Sequence, residues 1–327
     1  MKIGYFADGL WSHLALEKIV ANEQFEIVFI TPRYDSQDPV LKGWAKKLHI
    51  DFLPLANVNS PTSLNILDKY CADIFVSMSF DQILKKGILQ LPKLGVINCH
   101  AGALPFYRGR NILNWALIND ESEYGVTVHF LDEGIDTGDI ILQKKLPITD
   151  ADTYKTLLER ATVACSEILY ESLVKIASGK IEVLKQSSIH PVGFYCGKRK
   201  EGDEWIDWSW SSRRIFNFIR AITNPGPCAC TVLDGHQIRL ESSSLIPNAI
   251  NYIGTPGEIV GVSQSSICVK TGDSAILLPN MSSSKQCKFI IGKRFQSKND
   301  FVIEQINAKI KILEQEISLT KSNWQAK

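Results

Sequence analysis

The residues best placed to do chemistry lie in the stretch VINCHAGALPFYRGRNILNW, Val96 to Trp115. An apolar run ends there with Asn98 and His100, two positions apart, followed by a proline, two aromatics and two arginines. Imidazole takes and returns a proton near neutral pH without strong perturbation. A neighbouring amide N–H can stabilise a developing oxyanion. Further along, the turn DEGIDTGD, Asp132 to Asp139, brings carboxylates that can orient the imidazole and hold its charged form. These are the parts of an acyl-transfer site that works without a protein nucleophile. No G-x-S-x-G elbow is present, and Cys99 alternates onto the opposite face of its strand from Asn98 and His100. On residue chemistry alone, a single His at a strand end can equally be a hydrogen-bonded structural residue.

The elements around this stretch repeat a simple pattern. Four short apolar runs, KIGYFA, FEIVFIT, ADIFVSMS and LGVINCH, are rich in Val, Ile and Phe. Helical patterns separate them: SHLALEKIV, DPVLKGWAKKL and SPTSLNILDKY, the last with Ser60 at the N-cap. Strand and helix in alternation predict an α/β fold with a doubly wound, mostly parallel, Rossmann-like sheet. Ligands bind such sheets beyond the carboxyl ends of the strands, where Asn98 and His100 fall. The sequence next predicts a helix from about Asn111, the strand GVTVHFL, the turn DEGIDTGD and the strand IILQKKLPI. A long helix then closes with Gly179 at a C-cap position.

The texture changes after residue 188. A loop and one short helix lead into short strands, and VLDGHQI carries the Asp-Gly signature of a hairpin. GTPGEIVGVSQSSICVKTGDSAILLP alternates short strands with Gly turns, as in a small OB-like β-barrel. The domain reading is a catalytic domain over 1–188, a smaller β domain over 189–297 and a charged helix over 298–327. On that helix Ile303, Ile306, Ile310, Leu313 and Ile317 form a heptad-like stripe. The stripe either packs on its own domain or makes an oligomer contact, and a homodimer is expected.

Composition excludes several classes. Hydrophobic content of 45% and charged content of 22% are those of a soluble globular protein. A net charge of +1 gives no general field for gripping a polyanion, so no nucleic-acid partner is expected. No run reaches the roughly 18 apolar residues of a membrane span. The start, MKIGYFADGL, reads as a core strand and not a signal peptide. Cys228 and Cys230 form a C-x-C without the usual zinc spacing, while Cys71 and Cys99 lie in strand-like runs and read as buried thiols. The expectation is a reduced, cytoplasmic protein without a structural metal.

INCHAGALPFYRGRNILNW followed by YGVTVHFLDEGIDTGDIILQ resembles the formyltransferase family that uses 10-formyltetrahydrofolate. That family's pattern is Asn-x-His, Leu-Pro-x-aromatic-Arg-Gly, Gly-Val-Thr, then Asp-x-Gly-Ile/Leu-Asp-Thr-Gly. The likeness extends over nearly the whole first domain, and RKEGDEWIDWSWSSRRIFNFIRAITNPGP resembles the hinge and barrel that follow it in several members. The resemblance implies a catalytic set of Asn98, His100 and Asp136, with Asp132 and Asp139 as rival carboxylates that do not match the family position. It implies that His100 accepts the proton of the attacking amine, that Asp136 sets the tautomer of His100 and steadies the imidazolium, and that Asn98 donates to the oxyanion. It further implies 10-formyltetrahydrofolate as co-substrate, no metal, and a pterin framed by Ser77, Met78, Ser79 and Phe80 on one side and Leu131, Asp132, Glu133 and Gly134 on the other.

The best-known members of that family formylate methionyl-tRNA, and others formylate nucleotide-linked amino sugars. A tRNA binder needs basic stripes. Here the loop TPRYDSQDP is short and sets Arg33 against Asp35 and Asp38, and GKRKEGDE balances three cations with three anions. The Arg-Gly-Arg-Asn form resembles the sugar N-formyltransferases. The expected acceptor is therefore a UDP- or dTDP-linked 4-amino-4,6-dideoxyhexose, for surface glycan or nonulosonic acid synthesis. Arg108 or Arg110 would pair with its diphosphate, beside Asn111, and Trp11, Phe106 or Tyr107 would stack on base or sugar. Arg108 could instead bond loop carbonyls. Methionyl-tRNA formylation and a non-catalytic folate- or nucleotide-binding module are the alternatives.

Overall fold

The computed structural model describes residues 1–279, 281–283 and 287–325. The chain divides into two compact units. The first comprises 1–116, 121–152 and 156–199, the second 117–120, 153–155 and 200–327.

The first half of the first unit alternates β1 (Lys2–Ala7), α1 (Gly9–Val20), β2 (Glu26–Pro32), α2 (Pro39–Leu48), β3 (Asp51–Phe52), α3 (Pro61–Asp68), β4 (Ile74–Met78), α4 (Lys86–Leu89) and β5 (Val96–His100). It continues through β6 (Arg108–Gly109), α5 (Ile112–Ile118), β7 (Glu123–Phe130), β8 (Ile140–Pro147), α6 (Tyr154–Ala177), α7 (Gln186–Ile189) and β9 (Tyr195–Cys196). Seven strands form one sheet in the order β3-β2-β1-β4-β5-β7-β8. The first five are parallel, and β7 and β8 close the sheet antiparallel, which is the mostly parallel, doubly wound arrangement read from the sequence.

The strand runs are apolar because helices cover both faces of a parallel sheet. All of β4 is buried, and Phe6, Phe29 and Phe75 meet edge-on with centroids 5.2 to 5.6 Å apart. Gly4 makes room for them: a Cβ there would lie 2.3 Å from the Phe29 ring. The helices start and stop where the sequence places the signals. Ser60 caps α3 by accepting the Ser63 amide at 3.1 Å, with Pro61 at the first helical position. After α6, Gly179 takes φ +67° and donates to Ile176, while Lys180 donates to Lys175, the paired bonds of a Schellman close.

Two local expectations are corrected. Cys71 is exposed in a left-handed turn (φ 47°), because the chain must reverse out of α3 before β4 begins at Ile74. Arg33 faces Asp8 at 3.4 Å and donates to the Ser79 carbonyl, whereas Asp38 is taken up capping α2 through the amides of Val40 and Leu41. Residues 189–199 stay with the first unit because β9 pairs in parallel with β6.

The second unit holds α8 (Ser212–Ile222), β10 (Ala229–Leu233), β11 (His236–Leu240), β12 (Ser244–Leu245), β13 (Ile259–Val262), β14 (Ile267–Lys270), β15 (Ala275–Leu278), β16 (Met281–Ser283) and α9 (Lys298–Gln325). Its strands form two antiparallel sheets, β10-β11-β16 and β12-β15-β14-β13. Asp234 and Gly235 turn the first hairpin with φ of 52° and 74°, the two left-handed positions that a type I′ turn requires. Along α9 every residue from 302 to 317 is exposed, so the stripe Ile303–Ile317 is not covered by its own unit. Residues 326–327, the end of the expected helix, lie outside the described residues. No helix among the described residues is long and apolar enough to cross a membrane.

Candidate active site

β5 ends the parallel part of the sheet and pairs antiparallel with β7, setting Asn98 opposite His129 and His100 opposite Thr127. Residues 98 and 100 share one face by strand alternation, and a directly opposed pair shares a face across two strands. Asn98, His100 and His129 therefore converge by register alone. Beyond His100 the chain doubles back so that the Tyr107 carbonyl lies 2.7 Å from His100 Nε2. Gly102 permits this turn, since a Cβ there would sit 2.4 Å from that carbonyl and 2.5 Å from the imidazole.

Asp136 arrives from the turn after β7, in a left-handed conformation (φ 54°). Its Oδ2 accepts the Gly109 amide at 2.9 Å and stands 3.7 Å from His100 Nδ1. Its Oδ1 stands 3.6 Å from His129 Nε2, which in turn lies 3.3 Å from Asn98 Nδ2. The amide, the imidazole and the carboxylate that the sequence singled out are thus gathered in one cluster, with His129 between two of them.

The hydrogen bonds fix the tautomers. A carbonyl only accepts, so His100 Nε2 carries the proton and Nδ1 presents a lone pair on the side of Asp136. The Tyr107 carbonyl, not Asp136, sets the tautomer, which corrects the sequence-level assignment. Asp136 is left to stabilise the imidazolium once Nδ1 is protonated. His129 Nδ1 donates to the Phe130 carbonyl at 2.8 Å, so its Nε2 accepts from Asn98 and leaves the second amide hydrogen of Asn98 for another acceptor.

Burial lowers the pKa of His100 from its ordinary 6.5, and His129 adds to this, while Asp136 and the Tyr107 carbonyl pull the other way. For Asp136 burial favours the neutral acid. The opposing pull of His100, of the nearby His129 and of the Gly109 amide nevertheless holds the carboxyl well below the usual carboxylate range. The site therefore keeps a neutral base and an ionised carboxylate side by side at neutral pH, the division of labour that proton abstraction from an amine needs.

The other expected residues fall into two groups. Ser77 is in register with Asn98 on β4, the Met78 carbonyl accepts the Asp8 amide at 3.2 Å, and Ser79 has φ 60°. Phe80 and Leu131 pack against the same apolar cluster. Asp132 accepts from Gly134 and Thr137 and so shapes its own turn, leaving Glu133 and Gly134 exposed. Of the residues expected to hold the acceptor, Arg108 directs Nε and Nη2 to Gln186 Oε1 at 3.1 and 2.6 Å and lies over the Tyr195 ring, so its partner is a side chain and not loop carbonyls.

Arg110 is exposed, and the Asn111 side chain accepts the Arg199 amide at 2.9 Å. Trp11 is half-buried in the first turn of α1. Phe106 and Tyr107 pack on Phe194 and line a cavity of about 270 Å³ with Tyr124 and Lys145. His129, the Tyr107 carbonyl and the Gly109 amide were not singled out from sequence. Only His129 carries a signal there, as the position facing Asn98 once the β5–β7 register is assumed. No group of three or more potential metal ligands occurs among the described residues.

Comparison with known proteins identifies the family. The formyl transferase profile matches residues 44–173, and the formyl transferase C-terminal domain profile matches 198–294. The chain is 35% identical over 252 residues to a methionyl-tRNA formyltransferase of Synechococcus sp. (strain JA-3-3Ab), covering 72% of this chain and 77% of that protein. It is 31% identical to that of Fusobacterium nucleatum, over 85% of this chain and 91% of the other. Among solved structures, WlaRD, a sugar 3N-formyl transferase crystallised with dTDP and 5-N-formyl-THF, superposes with a TM-score of 0.64 at 23% identity, covering 88% of this chain and 99% of that one. An N-formyltransferase from Helicobacter canadensis, in complex with folinic acid and dTDP-3-aminofucose, gives 0.63 at 23% identity, over 85% and 99%. With the Asn98–His100–Asp136 cluster in place, the chain belongs to the formyl transferase family and is a folate-dependent one-carbon transferase.

Proposed function

We propose that this enzyme moves the formyl group of 10-formyltetrahydrofolate onto the amine of a nucleotide-linked amino sugar, a UDP- or dTDP-linked 4-amino-4,6-dideoxyhexose. The donor supplies the one-carbon unit, and residues 77–80 and 131–134 frame its pterin. His100 Nδ1 takes the proton of the attacking amine, Asp136 stabilises the imidazolium, and the free amide hydrogen of Asn98 meets the oxyanion, a contact worth roughly 3 kcal/mol of barrier. The observation that carries the acceptor assignment is Arg108. Its guanidinium is held by Gln186 near the Asp136 turn, and Nη1 has no hydrogen-bond partner among the described residues, which suits bidentate or fork recognition of a diphosphate. The likeness in fold to WlaRD and to the Helicobacter canadensis enzyme, both of which act on 3-amino sugars, supports a nucleotide-linked amino sugar as the acceptor and leaves the position of its amine to the assay below.

Methionyl-tRNA is the second reading, favoured by the 35% identity to a methionyl-tRNA formyltransferase. An assay with 10-formyltetrahydrofolate against UDP-, dTDP- and GDP-amino sugars and Met-tRNA separates the two. The expected result is product on one sugar nucleotide and none on tRNA; product on tRNA alone overturns the assignment. Salt gives an independent check. A binder neutralising 6 to 10 phosphates loses about 10³- to 10⁵-fold in affinity between 50 and 200 mM salt, and the acceptor here should lose far less.

The same reading includes a homodimer formed through α9. Ile303, Ile310 and Ile317 fall at a, and Ile306 and Leu313 at d. In a parallel, in-register pair Lys309 at g meets Glu314 at e of the second copy, an attractive contact. Light scattering on the full chain should give twice 36.6 kDa, and Ile306→Glu with Leu313→Glu should return the mass to one chain. A wild-type monomer, or a dimer that survives both substitutions, rules out this contact.

A further inference from the structure

We propose that Gln186 is a positioning residue that locks the turn bearing Asp136 to the guanidinium of Arg108, so that seating the acceptor's anionic group and placing the catalytic carboxylate become one event. The Arg108 half of this rests on the acceptor assignment above; the Asp136 half does not.

Gln186 Nε2 donates to the carbonyls of Asp136 and Gly138, both at 2.8 Å. Its Oε1 accepts from Arg108 Nε and Nη2 at 3.1 and 2.6 Å. A primary amide has two hydrogens and two carbonyl lone pairs, and all four are used. The side chain is only 4% exposed, so each unmade bond would leave a buried polar group unsatisfied. Glutamine is the one residue type that fits: glutamate has nothing to donate to two carbonyls, and asparagine is a methylene too short to reach both loops.

The backbone around Gln186 is built to hold this bridge. Leu184 and Ile140 exchange backbone hydrogen bonds at 2.8 and 2.9 Å, docking the segment beside the end of the Asp136 turn. On the other side the amides of Arg108 and Arg110 donate to the carbonyls of Phe194 and Cys196, both at 3.1 Å. Gly193 lets the segment close over Arg108, because a Cβ there would lie 2.3 Å from the Pro105 carbonyl and 2.9 Å from the guanidinium carbon. Residues 184–196 thus clasp both loops, and Gln186 is the side chain that joins them. Asp136 needs such support, since its φ of 54° is unfavourable for a non-glycine residue.

Two substitutions and one titration test the bridge. Gln186→Met keeps the volume and removes every bond. It should lower kcat on the order of 100-fold, as misplacement of a catalytic group by about 1 Å does, and raise KM for the acceptor. Gln186→Glu turns a carboxylate towards two carbonyls and pairs it with the Arg108 guanidinium, so kcat should fall and acceptor KM should rise with it. An NMR titration of His100 reads the carboxylate without any acceptor. The imidazole faces Asp136, His129 and the Tyr107 carbonyl, and loosening Asp136 removes the contact that raises its pKa. In Gln186→Met the midpoint should therefore move down. Wild-type kcat and acceptor KM in Gln186→Met overturn the proposal, as does activity lost only in proportion to folded protein with an unmoved His100 midpoint. Should no sugar nucleotide be turned over by the wild type, the acceptor assignment fails, and the His100 titration still decides the Asp136 half.

Discussion

Replacing His100 with alanine is expected to lower formyl transfer by about 10² to 10⁴-fold, the usual loss for a positioned general base. The amine must shed a proton as its bond to the formyl carbon forms, and His100 Nδ1 is the unprotonated nitrogen turned towards Asp136. The chain should remain folded. The His100 side chain contributes one hydrogen bond, to the Tyr107 carbonyl, and such a bond is worth about 1 kcal/mol net. Steady-state rates with a far-ultraviolet spectrum and folate affinity measured in parallel test this. A rate within about tenfold of wild type would return His100 to the role of a structural polar residue and revive the non-catalytic binding module.

Asp136→Asn is expected to cost about three orders of magnitude in kcat. At 3.7 Å and an effective dielectric near 20, a carboxylate and an imidazolium attract by roughly 4 kcal/mol. Because the Tyr107 carbonyl holds the tautomer, the loss should come from the unstabilised imidazolium and not from a rotated or retautomerised base. The two origins differ in their pH dependence. Burial already lowers the pKa of His100 from 6.5, and Asp136 raises it. Removing Asp136 leaves the imidazole still easier to deprotonate, so the neutral base persists to lower pH. A kcat–pH profile should show a depressed plateau and an acid limb displaced to lower pH. An acid limb that does not move, with a rate near wild type, would mean that Asp136 only supports its turn.

Much of the first unit was legible because its signals are local. Strand runs, the Ser60 cap, the Gly179 close and the Asp234-Gly235 turn each depend on residues within a few positions of one another. Where local texture misled, tertiary contact decided. Cys71 looked like part of a strand but sits in the turn leaving α3. The stripe on α9 was legible as a stripe, yet only the coordinates show it uncovered.

The sequence by itself determined which groups can do the chemistry: an amide and an imidazole two residues apart on one strand face, and a carboxylate in a Gly-rich turn. That follows from residue type and from the period of two along a strand. The tertiary structure alone decided how they are used. The tautomer of His100 depends on a carbonyl from a loop that folds back over Gly102, the partner of Asn98 on the register between β5 and β7, and the bridge from Asp136 to Arg108 on Gln186, fifty residues further along the chain. Such contacts are set by which segments pack together, and no periodicity within a segment encodes the distance to another.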